Sequence, residues 1–206
     1  GPISPTNTMS SDELFYAFAI WGVLEEATDS FDGELMMNSI GIGGWDMLRQ
    51  QGFVTIDGML DVSDITAADI DSLLVPGDFI MMGSVDLDGE VPTVTLELFS
   101  KEYGFEQPVK VFSKGVESLT SLANFLTESL YTSHGMMVEQ EWGHTSIVSR
   151  LLPRTNEIFK QYGELRSYEL SSKELSPQEI NEQINSILVI EPRFALAWLE
   201  KVFSLK

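Results

Sequence analysis

The chain has 206 residues, of which 43% are apolar and 10% aromatic, enough to bury a core as one domain or two small ones. Its formal net charge is −20 and its pI is near 4.2; a surface this acidic repels nucleic-acid phosphates and anionic lipid headgroups. The absence of cysteine excludes disulfides, thiolate catalysis and zinc-thiolate or iron–sulfur sites, and no apolar run approaches the roughly twenty residues of a membrane span.

Gly1-Pro2 resembles the scar left when a tag is cleaved, and residues 1–11 are expected to form a flexible tag-derived or linker segment. Phe15-Tyr-Ala-Phe-Ala-Ile-Trp21 is too continuously apolar for a surface helix and reads as a buried strand. A helix is the alternative, because Ser10, Ser11 and Asp12 upstream make good N-caps. A helix is expected between Ser30 and Gln51, interrupted by Gly41, Gly43 and Gly44. Phe53–Ile56 reads as a short strand ending at Asp57-Gly58, and Ser63 to Val75 as a helix stopped by Pro76-Gly77.

The stretch Pro76–Ser113 reads as an antiparallel meander: Phe79 to Gly83, Thr93 to Phe99 and Val109 to Phe112. Asp88-Gly89 suits a type I′ hairpin turn. The first strand is apolar throughout Phe79–Met82, which suits a central strand. The second alternates, with Val94, Leu96 and Leu98 on one side and Thr93, Thr95 and Glu97 on the other, the pattern of a strand with one wet face. Val116 to Tyr131 follows as an amphipathic helix able to cover the sheet. Beyond it, Trp142 to Leu152, Thr155 to Tyr168, Pro177 to Ile190 and a last segment from Pro192 onward read as helices; Ser176 caps Pro177 at the first helical position. The expected fold class is therefore α/β (α+β), a mixed sheet with an antiparallel meander covered by helices and then an all-helical part, divided as 12–133 and 134–206.

Two resemblances follow. Gly52-Phe-Val-Thr-Ile56, Asp78-Phe-Ile-Met-Met-Gly-Ser-Val85, Thr93 to Phe99 and Leu126-Thr-Glu-Ser-Leu-Tyr131 together resemble the small α/β domain at the N-terminus of TolB. FlgO-like proteins and the periplasmic parts of CadC-like and ToxR-like membrane regulators share that likeness, which covers roughly Phe15 to Tyr131. Phe159-Lys-Gln-Tyr-Gly163 and the run Ile187 to Trp198 resemble parts of tetratricopeptide repeats, at most one and a half of them, with an insertion at Ser171 to Ser176. These likenesses imply a bacterial extracytoplasmic sensing or protein-interaction region, such as a transcription regulator's periplasmic part.

Several chemical motifs are outweighed by simpler readings. Gly41-Ile-Gly-Gly44 lacks the preceding strand and nearby cation of a phosphate loop. Glu141-Trp-Gly-His144 is one copy of a pattern that needs two to hold a di-iron centre, and the Met-Met pairs at 36–37 and 81–82 read as core filler. The pair at 136–137, beside His134, is the more exposed one and the one open to a soft metal. Asp86-Leu-Asp-Gly-Glu90 begins like a calcium loop but lacks the later ligands, and Glu25-Glu26 has no nucleophile context.

The residues thus point to a non-enzymatic module with no catalytic residues, no metal and no cofactor. A protein partner or self-association is expected, with Trp142, Phe159, Tyr162, Phe194 and Trp198 as the candidate partner-binding side chains. Each of the five also has a reading as helix–helix core. A periplasmic location follows from the resemblance. A cytoplasmic scaffold or adaptor, and a ligand- or metal-binding protein, are the competing functions.

Overall fold

Ser10 opens the described structure with a capping box: its hydroxyl accepts from Glu13 N (3.3 Å), while a Glu13 carboxylate oxygen accepts from Ser10 N (2.6 Å) and Ser10 Oγ (2.9 Å). The helix it starts, α1, spans Ser11–Asp29. The computed structural model describes residues 10–29, 55–56, 59–60, 79–103, 107–133, 147–170 and 175–204. The segment expected to be a buried strand at Phe15–Trp21 is therefore helical. Its apolar run is continuous because α1 is enclosed on several sides. Tyr16, Ala17, Ala19, Ile20, Val23, Leu24 and Ala27 are all buried, against the strand Phe79–Asp86, the short helix Ile147–Leu151 and above all the helix Asn156–Leu170. A helix apolar nearly all round has no 3.6-residue stripe, and periodicity cannot distinguish it from a buried strand.

Strands β1 (Thr55–Ile56) and β2 (Met59–Leu60) form a small antiparallel pair. The larger sheet has the order β3-β4-β5, with β3 Phe79–Asp86, β4 Thr93–Ser100 and β5 Lys110–Gly115. Every described pairing is antiparallel, from Phe79↔Ser100 to Asp86↔Thr93 and from Thr93↔Gly115 to Leu98↔Lys110. The meander is present, but β4 rather than β3 is its central strand among the described residues. On β4, Val94, Leu96 and Leu98 are buried and Thr93, Thr95 and Glu97 are half-buried, the alternation expected from its sequence.

The β3–β4 connection departs from the two-residue type I′ turn. Pairing ends at Asp86↔Thr93, and the backbone of Asp88 donates to Asp86 Oδ1 (2.8 Å), a side-chain-closed turn. Gly89 does not adopt a positive φ. Pro92 has no N–H to extend the ladder, and its carbonyl instead accepts from Val116 N (2.6 Å).

Among the described residues five further α-helices follow: α2 Leu119–Ser133, α3 Ile147–Leu151, α4 Asn156–Leu170, α5 Pro177–Ile190 and α6 Ala195–Ser204. The described fold is thus α+β and mostly helical. Helix α2 runs against β5, where Lys110 Nζ donates to the carbonyl of Thr132 (2.8 Å) near the helix end. Helix α5 starts as its sequence indicates, with Pro177 in the first turn and a reciprocal Ser176–Glu179 capping box. The helices expected over 30–51 and 63–75 lie outside the described residues.

Helices α1 and α4 make the most extensive helix–helix contact among the described elements, across the division drawn near Ser133. They meet at backbone distance. A Cβ on Gly163 would overlap the carbonyl oxygen of Phe15 and stand 3.1 Å from Ala19 N, so only glycine fits there. Above and below this point, Tyr16 and Phe159 meet edge to face at 5.2 Å, and Tyr162 lies against Gly22. A Cβ on Gly22 would approach only the Tyr162 side chain, its hydroxyl at 2.7 Å.

Gly163→Ala is therefore expected to cost about 3 kcal/mol or more, because backbone must move. For Gly22→Ala a helix-propensity gain of about 1 kcal/mol opposes displacement of one ring, for a net change within about 1 kcal/mol. Urea unfolding of both variants measures the contrast; equal midpoints would mean that the helices do not cross at Gly163. The Tyr16 phenol, pushed up to about 12 by burial, supplies a second test. Its folded-state pKa lies above the unfolded value, so stability is intact below about pH 10 and falls by up to about 2 kcal/mol as pH rises toward 12. That share of the alkaline loss should vanish in Tyr16→Phe.

Candidate functional site

Three of the five sequence-selected aromatic residues line the interior. Phe159 and Tyr162 lie on the face of α4 that packs on α1, and Phe194, just before α6, meets the Tyr162 ring edge to face at 5.3 Å. All three are buried, and they join α4 to α1 and to the α5–α6 turn. Trp142 lies outside the described residues. Trp198 differs from the rest: it is 47% exposed on α6, its indole N–H donating to the Pro192 carbonyl (2.9 Å).

Trp198 does not stand alone. Val189 (80% exposed) and Ile190 (63%) end α5, and Val202 (55%) lies one turn beyond Trp198 on α6. Lys201 links the two helices, its Nζ 2.7 Å from Asn185 Oδ1 on α5 and 5.2 Å from the centre of the Trp198 ring. Asn185 precedes Val189 by one helical turn, which places Val189, Trp198 and Val202 on one face of the α5–α6 pair. Sequence reasoning missed Val189, Ile190 and Val202. The signal was present in Ile187-Leu-Val-Ile190: on a helix with a single buried stripe, Ile187 and Leu188 join Ile184 inside, and their two apolar successors are left outside.

Beneath this face, Arg166 on α4 ties three helices together. Its Nη1 donates to Glu200 on α6 (2.8 Å), its Nη2 to Glu25 on α1 (2.7 Å), and its guanidinium lies 4.9 Å from the Trp21 ring centre. The Tyr162 hydroxyl donates to the same Glu200 oxygen (3.3 Å). The arrangement fixes α6, and the face it carries, against the α1–α4 pair.

A second cluster lies where α1 meets the β3–β4 connection. Carboxylate oxygens of Glu13, Asp86 and Asp88 come within 4.8 Å of one another. Their oxygens already accept backbone donors: Glu13 from Ser10 N and from Leu87 N (3.4 Å), and Asp86 from Asp88 N. The Ser10 N–H first, and then its hydroxyl, hold the Glu13 carboxyl below its ordinary range. The Asp86–Glu90 segment thus works as a turn joined to the α1 cap. Three carboxylates fall short of the six to eight oxygens that calcium takes.

Neither a protein-family profile nor a curated protein matches this chain. Among the described residues, no helix is long and apolar enough to cross a membrane.

The burial difference between neighbouring aromatic residues gives a direct measurement. Phe194→Ala should destabilise the chain by about 3 kcal/mol or more, since a fully enclosed ring is lost. Trp198→Ala should cost no more than about 1 kcal/mol, because half of the ring faces water and its loss opens no internal cavity. Thermal and urea unfolding of the pair would show the order reversed if α6 packed with its other face inward.

Proposed function

We propose that the chain is a non-enzymatic protein-interaction or sensor module, the extracytoplasmic part of a bacterial membrane-anchored regulator or envelope assembly. The observation that supports this reading best is the apolar face of α5 and α6, where Val189, Trp198 and Val202 stand in water on a rigid helical pair. A face of this kind on an interior clamped by Arg166 suits a surface that other molecules read. The extracytoplasmic assignment and the likenesses to TolB-type and tetratricopeptide-type elements rest on sequence resemblance alone. A cytosolic scaffold with the same face is the alternative, and location separates the two.

A photo-crosslinking side chain placed at Val202 in the host protein should give a discrete adduct, and one placed at Glu128, exposed on α2, should not. Protease treatment of intact cells, spheroplasts and lysates, read with an antibody to this segment, should cut the protein once the outer membrane is opened. Cleavage only after full lysis would move the module to the cytosol. Absence of adducts from Val202 in every fraction would remove the interaction reading.

A further inference from the structure

We infer that the α5–α6 face docks an acidic amphipathic segment of a partner protein, one presenting bulky apolar side chains flanked by Asp or Glu. The inference rests on the interaction-module reading and adds the chemistry of the partner.

Local charge on this face runs against the global charge of the chain. The whole chain carries 32 acidic and 12 basic side chains, so any surface taken at random is anionic. The α5–α6 face is not. Arg193 is exposed in the turn between the helices, and Lys201 sits between Asn185 and the Trp198 ring, in the middle of the apolar side chains. The two nearest carboxylates in the sequence are turned away: Glu200, beside Lys201, accepts from Arg166 and is 15% exposed, and Glu191 closes the turn after Ile190. Its oxygens accept the backbone N–H of Arg154 at 2.9 and 3.1 Å, and its side chain is 12% exposed. Glu182, the next acidic residue on α5, precedes Val189 by two helical turns and accepts from Gln178. Helix dipoles leave the balance unchanged, because the C-terminus of α5 and the N-terminus of α6 meet in the same turn and oppose each other.

An occupant must therefore satisfy apolar side chains and two cations at once. A segment with Leu, Phe or Trp at helical spacing and carboxylates beside them does so, its carboxylates reaching Lys201 among the apolar side chains and Arg193 in the turn beside them, where charge sets specificity and encounter rate. A second copy of this chain does not. A two-fold contact through this face would bring four cations together with no exposed carboxylate among the described residues of the face to meet them, between bodies that each carry −20. An anionic lipid surface is broad enough to meet the −20 of the whole body, whereas a short segment meets only the face and its two cations.

The experiment is selection of displayed random peptides of about fifteen residues, four turns of helix, on the full 206-residue chain at physiological salt. The chain's overall charge favours basic peptides; the face favours acidic ones. The expected result is enrichment of Asp and Glu with bulky apolar residues. Binding of those peptides should weaken about tenfold or more in Val189→Ser/Val202→Ser and in Arg193→Glu/Lys201→Glu, with circular dichroism unchanged. Peptides with their Asp and Glu changed to Lys should prefer the Arg193→Glu/Lys201→Glu chain. Enrichment of basic peptides, or binding indifferent to all four substitutions, overturns the inference and leaves the module reading standing. A concentration-dependent dimer abolished by Val189→Ser/Val202→Ser assigns the face to a second copy, and flotation with anionic vesicles assigns it to a membrane; each overturns the inference. If no peptide is selected and Val202 gives no adduct in cells, both readings fall together.

Discussion

The contact of Gly163 with the Phe15 carbonyl sets the geometry of everything built around it. Two helices that touch at the backbone have no freedom to slide or roll without collision, so one residue lacking a side chain fixes their crossing. Residues one turn to either side then fall into place. Phe159 meets Tyr16, Tyr162 fills the space above Gly22, and Arg166 comes within reach of Trp21 and Glu25. The N-terminal helix thereby becomes a core element of the helical half, while its side toward β3 keeps it in contact with the sheet.

Arg166 carries this order outward. A partly buried Arg between two carboxylates contributes little net stability, since loss of hydration offsets most of the attraction. Its effect is positional: a planar guanidinium with Glu25 on one nitrogen and Glu200 on another permits one placement of α6 relative to α1. Tyr162 reinforces that placement twice, by its hydroxyl on Glu200 and by its ring on Phe194, which leads into α6. The exposed face of α5 and α6 is therefore held at a defined angle by contacts that begin at Gly163.

Local chemistry was legible in the sequence wherever a segment had one wet side or a cap. The alternation of β4, the wide stripe of α2, and the Ser176-Pro177 start of α5 all follow from period and capping. Phe15–Trp21 failed for a physical reason: a helix enclosed on several sides loses the periodicity that identifies it. The N-cap candidates upstream supported the helical alternative, and the cap that forms joins Ser10 to Glu13, a contact that depends on neighbours only three residues away. The β3–β4 turn failed because Pro92 ends the ladder early and Asp86 closes the turn with its side chain, effects that outweigh the preference of an Asp-Gly pair. Of the candidate site, Trp198 was legible as a large apolar residue on a short helix. The difference between it and Phe194 was not, because exposure there depends on where Arg166 and Tyr162 hold α6.

The distribution of cations completes the account. With 12 basic residues against 32 acidic ones, cations are scarce, and most surfaces are dominated by carboxylates. Arg166 is enclosed between Glu25 and Glu200, whereas Lys160 on Asp12 and Lys110 on the Thr132 carbonyl make exposed contacts between elements. Lys201 and Arg193 are spent differently. They stand beside exposed valines and a tryptophan, where a cation adds nothing to the core and keeps an apolar surface hydrated. In a chain this acidic, Arg193 and Lys201, the latter also joining α5 to α6 through Asn185, are the charges that an acidic segment arriving at this face would meet first.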